Sequence, residues 1–136
     1  MVKEINKDEF LLSLKAEPLK IDEIYMLEDL KDTLIKNKDI CVGMALNMIG
    51  YIKSGIAFYS NDEVILMANP KIIDKREEYK TKEGCLSLTG LRDCIRHKKI
   101  KVEYYNIEFK KRIKSFKDFE AEIIEHEIDH LNGIII

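Results

Sequence analysis

Residues 126–130 read His-Glu-Ile-Asp-His, and this short pattern constrains the fold more than any other stretch. Two imidazoles can grip one cation if they sit one helical turn apart, about 40° apart around the axis. The segment must then be helical, with an inward face. Glu127, between the two histidines, can reach water held at such a cation and take its proton. Two of the chain's three histidines fall in the pattern. A helix is predicted from near Asp118 to about Leu131, with Asn132-Gly133 as its C-cap. Ile124, Ile128 and Leu131 form a core-facing stripe. Phe119 and Ile123 share the side of His126 and His130 and make an apolar wall there.

A hydrolytic metal site usually has three protein ligands and one open position. Only Leu131, Asn132, Gly133, Ile134, Ile135 and Ile136 follow the pattern, and none is a strong ligand. The third ligand is therefore expected upstream, among Cys41, Cys85, Cys94, His97 and the carboxylates. Cys85 has the best setting: Gly84 before it permits close backbone approach, and the Leu86 N–H after it can point at a developing oxyanion. His97, among Arg96, Lys98 and Lys99, reads as a surface residue, and Cys94 as packed.

The rest of the chain reads as helices and strands around this helix. Leu11, Leu12 and Leu14 suggest a short turn or strand before Pro18. Ile21 to Asn37 is predicted as an amphipathic helix capped by Asp22, with Ile24, Leu27, Leu30, Leu34 and Ile35 as its stripe. Cys41 to Gly50 reads as a buried strand and turn or the wall of a site. Residues 55–59 and 64–68 are predicted as a hairpin about Ser60-Asn61-Asp62-Glu63. Asn69-Pro70 is expected to break the second strand, Lys71 to Asp74 to resume it, and 75–82 to be a solvated loop or edge strand. Residues 99–105 alternate, with Ile100, Val102 and Tyr104 inward. A partner strand is expected over Ile107 to Ile113, after a turn near Asn106.

Composition limits the function classes. With 136 residues, the chain is expected to be a single domain, 1–136. Its 46% hydrophobic and 35% charged residues exclude disorder. A net charge of -2, with lysine clusters offset by glutamate and aspartate, gives no nucleic-acid footprint, so no DNA partner is expected. No apolar run approaches the roughly 20 residues of a membrane helix, and no membrane partner is expected. Residues 1–10 carry no signal core, which points to a cytoplasmic protein. Three cysteines without a signal segment argue against a disulfide framework.

Glu83-Gly84-Cys85-Leu86-Ser87 together with His126-Glu127-Ile128-Asp129-His130 resembles the peptide deformylase family. The resemblance extends to Val42-Gly43-Met44-Ala45, to Asn69-Pro70, and to Arg92, which falls where the family has a substrate-contacting arginine. It implies an α+β fold in which a central HExxH helix packs against small antiparallel β-sheets. It implies one divalent metal held by Cys85, His126 and His130. Fe2+ is expected in the cell, and Zn2+, Ni2+ or Co2+ can occupy such a site. The implied reaction is removal of the formyl group from N-formylmethionine of nascent peptides. Metal-bound water attacks, Glu127 acts as general base, and the Leu86 N–H steadies the oxyanion. Val42, Gly43, Gly84, Arg92, Phe119 and Ile123 would bind substrate, with Val42, Phe119 and Ile123 around the methionine side chain.

The chain departs from the family's first motif, Gly-φ-Gly-φ-Ala-Ala-x-Gln, where φ is apolar. Cys41 replaces the first glycine, Leu46 the second alanine, and Met48 the glutamine whose amide donates to the oxyanion. A thioether cannot donate. Asn47 has a donor amide, but on an extended chain it would point the other way. Glu125 stands where the family has glutamine before the first histidine. These departures keep two alternatives open: a weak or inactive relative that binds metal and formylated peptides, and an amidohydrolase for another N-acyl substrate.

Overall fold

The computed structural model describes residues 1–84 and 90–134. Five antiparallel strands form one sheet in sequential order: β1 (Gly43–Ala45), β2 (Gly55–Ser60), β3 (Glu63–Glu83), β4 (Arg92–Tyr105) and β5 (Lys111–Lys117). Three helices accompany it: α1 (Glu9–Leu12), α2 (Tyr25–Lys36) and α3 (Asp118–Leu131). The class is α+β, as expected. Hydrogen bonds join the strands into one sheet.

The hairpin between β2 and β3 turns on Asn61 and Asp62, both with positive φ, 50° and 68°. Such two-residue turns match the right-handed twist of the flanking strands, and Asn and Asp tolerate the left-handed region. Asn69-Pro70 does not end β3. Proline lacks an N–H and Asn69 has a φ of 50°, so the register with β4 shifts between Ala68 and Lys71 and the strand continues. Residues 75–82 belong to β3, paired to β4 through contacts such as Tyr79↔Arg96 and Thr81↔Cys94.

The partner strand lies later than Ile107 to Ile113. Asn106 builds the turn instead: its Oδ1 accepts from the Glu108 and Lys110 N–H groups, and β5 begins at Lys111. Side-chain capture of backbone donors holds these residues out of the ladder. Ile100, Val102 and Tyr104 point inward and are buried.

The α2 region begins as a 3₁₀ turn, Ile21–Glu23, with Lys20 rather than Asp22 at its start. The Glu23 carboxylate accepts from the Lys20 N–H at 2.9 Å. Leu27, Leu30 and Leu34 are fully buried, but Ile35 is exposed. A 3.6-residue period puts Ile35 about 100° from Leu34, beyond the edge of the buried stripe. α1 forms where a turn or strand was expected, because the Asp8 carboxylate caps the Phe10 and Leu11 N–H groups.

β5 enters α3 without a loop. Asp118, with φ 55°, makes the whole turn. α3 then packs across β1, β2 and β4. Ala121, Ile124 and Leu131 join the core. At its C-terminal end Gly133 has a φ of 75° and sits so close to Ser13 that a Cβ would lie 2.3 Å from the Ser13 oxygen. The expected Asn132-Gly133 stop therefore also seats the N-terminal segment, whose Ala16 N–H donates to the Leu131 carbonyl at 2.7 Å.

Candidate active site

On α3 the two imidazoles meet as the pattern requires. The Nε2 atoms of His126 and His130 are 3.1 Å apart, and both residues are buried. His126, Glu127 and His130 each offer a ligand atom within 4.8 Å of the others. Beside them opens a cavity of about 600 Å3. Val42, Gly43, Gly84, Phe119, Ile123, His126 and Glu127 line it, together with Met48 and Glu83. Cys85 and Leu86 lie outside the described residues. Gly84 ends the described chain on one side of them and Gly90 resumes it on the other, and both line the cavity.

The orientation of His126 has a visible cause. Its Nδ1 lies 2.5 Å from the Glu83 carboxylate, at the end of β3. Glu83 accepts a pair of hydrogen bonds from Arg96, and Arg96 also donates to Asp129 at 2.7 Å. Burial opposes the Glu83 charge, but hydrogen bonds from His126 and Arg96 hold its carboxyl far below the usual range. An imidazole that donates Nδ1–H to a carboxylate keeps its Nε2 lone pair free for a cation, and the carboxylate raises its basicity. Desolvation works against the charge on His126, but the bond to Glu83 and the Glu127 charge raise its pKa overall. His130 is pushed down to about 3 by burial and then by the nearby His126 charge, so it is a neutral donor.

Glu127 is buried, and its Oε1 has no hydrogen-bond partner among the described residues. Burial raises its pKa to about 7. A buried polar atom without a partner is uncommon and calls for a ligand or water. That orphaned oxygen, beside two imidazoles whose Nε2 atoms converge on one point, fits a cation carrying water. Gly43 gives Glu127 its space: a Cβ there would lie 2.7 Å from Ile123 Cγ2 and 3.1 Å from Glu127 Oε2.

Other expected residues fall differently. Val42 is 44% and Phe119 59% exposed, so they flank the mouth, whereas Ile123 is buried deeper. Arg92 opens β4 opposite Glu83, and its buried Nη1 lacks a partner among the described residues. It does not line the cavity. His97 is not a surface residue: its side chain is 14% exposed and fixed by Glu125, which accepts from both its N–H and its ring. That bond also explains Glu125, which points behind α3 and away from the imidazoles. Burial pushes the Cys94 thiol up to about 11.

Met48 sits in a 3₁₀ turn, Leu46–Ile49, with its side chain 1% exposed against the cavity wall. Asn47 does not replace the missing donor, because its amide donates to the His130 carbonyl at 2.8 Å. It caps the last turn of α3, where carbonyls lack intrahelical partners. The reason is the 3₁₀ turn rather than strand alternation.

Sequence reading missed Arg96 and the part played by Glu83. A signal existed: Arg96 is in phase with Ile100, Val102 and Tyr104, so a strand running back from residue 99 places it on the inner face.

A family model described as polypeptide deformylase matches residues 2–136. A peptide deformylase of Clostridium beijerinckii is 42% identical over the full length of both chains. Among solved structures, a Met-Ala-Ser-bound class I type b peptide deformylase from Acinetobacter baumannii aligns with a TM-score of 0.88 at 28% identity. It covers 99% of this chain and 97% of the other. The peptide deformylase of Thermotoga maritima aligns with the same TM-score at 26% identity, covering 99% and 95%. With a family model over nearly the whole chain and a full-length relative this similar, the chain belongs to the peptide deformylase family.

Proposed function

We propose that residues 1–136 act as one domain that removes the formyl group from N-formylmethionine of nascent peptides, with His126, His130 and Cys85 as metal ligands and Glu127 as general base. The observation that carries this reading is the buried Glu127 Oε1, unpartnered among the described residues, beside the imidazole pair. A divalent metal supplies Lewis-acid polarisation and acidifies water. Two imidazoles and a thiolate suit Fe2+, which we favour in the cytoplasm, and also suit Zn2+, Ni2+ or Co2+.

The chain's own residues do the rest. Glu83 fixes the His126 tautomer. Glu127, with its raised pKa, takes a proton from the attacking water and later passes one to the leaving amine. The Leu86 N–H steadies the oxyanion. β1 is an edge strand, so one side of Gly43 can meet an extended peptide. Val42, Phe119 and Ile123 receive the first side chain, and the Met-Ala-Ser held by the Acinetobacter relative is a peptide of the matching product type. Arg92 contacts the substrate beyond that side chain.

Met48 favours a second reading, in which the protein binds formylated peptides with little turnover. Formate release from formyl-Met-Ala-Ser by protein loaded anaerobically with iron or nickel separates the two. Turnover lost in Glu127→Ala supports the first. Full metal occupancy with peptide binding but no turnover supports the second.

A further inference from the structure

Three carboxylates line the cavity: Glu83, Glu122 and Glu127. Glu83 is committed to Arg96 and His126, and its carboxyl also shares a hydrogen bond with that of Glu122. Glu127 is the proposed general base. Glu122 has no task in the chemistry. It stands one helical turn before His126 and next to Ile123, on the wall that receives the first side chain. It is half-buried. The Tyr79 hydroxyl, reaching across from β3, donates to its Oε1 at 3.0 Å and holds the carboxyl in place at the cavity. The buried cation Arg96 is spent on Glu83 and Asp129. No ion pair to Glu122 forms among the described residues. Burial, and then the neighbouring Glu83, raise its pKa, while the Tyr79 bond lowers it.

A pocket of Val42, Phe119 and Ile123 alone would rank side chains by apolar fit. A carboxyl at its wall changes the ranking. Against an apolar tip, Glu122 loses water and regains nothing. Against a tip that donates a hydrogen bond, the loss is recovered. We propose that Glu122 is a specificity-determining residue of the side-chain pocket. Its carboxyl is the acceptor that lets N-formyl peptides whose first side chain ends in a donor, such as lysine or glutamine, bind alongside those that begin with methionine. The inference rests on the deformylase reading of the site.

The test compares nickel-loaded wild type with Glu122→Leu and Glu122→Gln. The substrates are formyl-norleucine-Ala-Ser, formyl-lysine-Ala-Ser and formyl-glutamine-Ala-Ser. In Glu122→Leu the norleucine-to-lysine ratio of kcat/KM should rise by roughly 10- to 100-fold, the range for a hydrogen bond to a charged group. A ratio that moves by less than about twofold overturns the proposal, because a residue that only braces Tyr79 would affect all three peptides alike. If the leucine variant does not fold, Glu122→Gln decides. It keeps an acceptor and removes the charge, so formyl-lysine should lose more than formyl-glutamine, and equal losses overturn the proposal. If the wild type releases no formate from any peptide, the deformylase reading fails separately. Calorimetric affinities of the same peptides then give the ratio, with the same two outcomes.

Discussion

At position 48 a thioether occupies a place from which the family's glutamine donates to the oxyanion. The neighbouring amide of Asn47 is committed to α3. Met48→Gln should therefore raise kcat by about 10²-fold, the lower end of the range for an oxyanion-hole donor; stopped assays of formate release check this, and an unchanged kcat would contradict it. Glu127 makes the opposite kind of prediction. Its pKa in the fold, about 7, lies above the ordinary 4.5, so the folded metal-free protein holds a proton that the unfolded chain has released. Its contribution to stability therefore declines as pH rises from about 4.5 to 7. Glu127→Gln removes that penalty and should stabilise metal-free protein by about 3 kcal/mol at pH 8, but hardly at pH 4. Urea titrations at the two pH values measure the difference. Both residues were legible in the sequence as chemistry, Glu127 from its motif and Met48 from its departure. Their surroundings were not, since neither the burial of Glu127 nor the tie from Asn47 to His130 follows from local pattern.

At the scale of elements, the site depends on three meeting at one buried ion cluster. β3 supplies Glu83, β4 supplies Arg96, and α3 supplies His126 and Asp129. Arg96→Ala leaves Glu83 buried without its cation. It should cost about 3–5 kcal/mol of stability and weaken metal affinity by roughly 10- to 100-fold, as loss of a ligand's supporting bond does. Denaturant melts and metal-competition titrations read the two effects. The helix α3 was legible to within its ends, because its apolar stripe, its histidine pair and its Asn-Gly stop agree. β4 was legible only in its second half. Before residue 99 the buried positions of the strand hold Arg96 and half-buried Cys94 instead of aliphatic side chains, so the alternation is hidden. β5 was misplaced because Asn106 captures two backbone donors, a tertiary detail that propensity does not encode.

For the whole molecule, a meander sheet and one crossing helix bring residues more than forty positions apart in sequence into a single cleft. The cleft exists only in the folded chain, so a cation that binds there also stabilises the fold. At about 1,000 times its Kd, bound metal should add roughly 4 kcal/mol, or on the order of 10 °C in melting temperature for a chain of this size. Chelation should remove that gain, and His126→Ala should show no gain to remove. Activity is the most direct measurement: formate release from formyl-Met-Ala-Ser by nickel-loaded wild type and by Glu127→Ala, with metal content determined in both. Both proteins should hold metal, the wild type should turn over, and the variant should lose at least about 10²-fold. Equal turnover by the two proteins would contradict the assignment of Glu127 as general base.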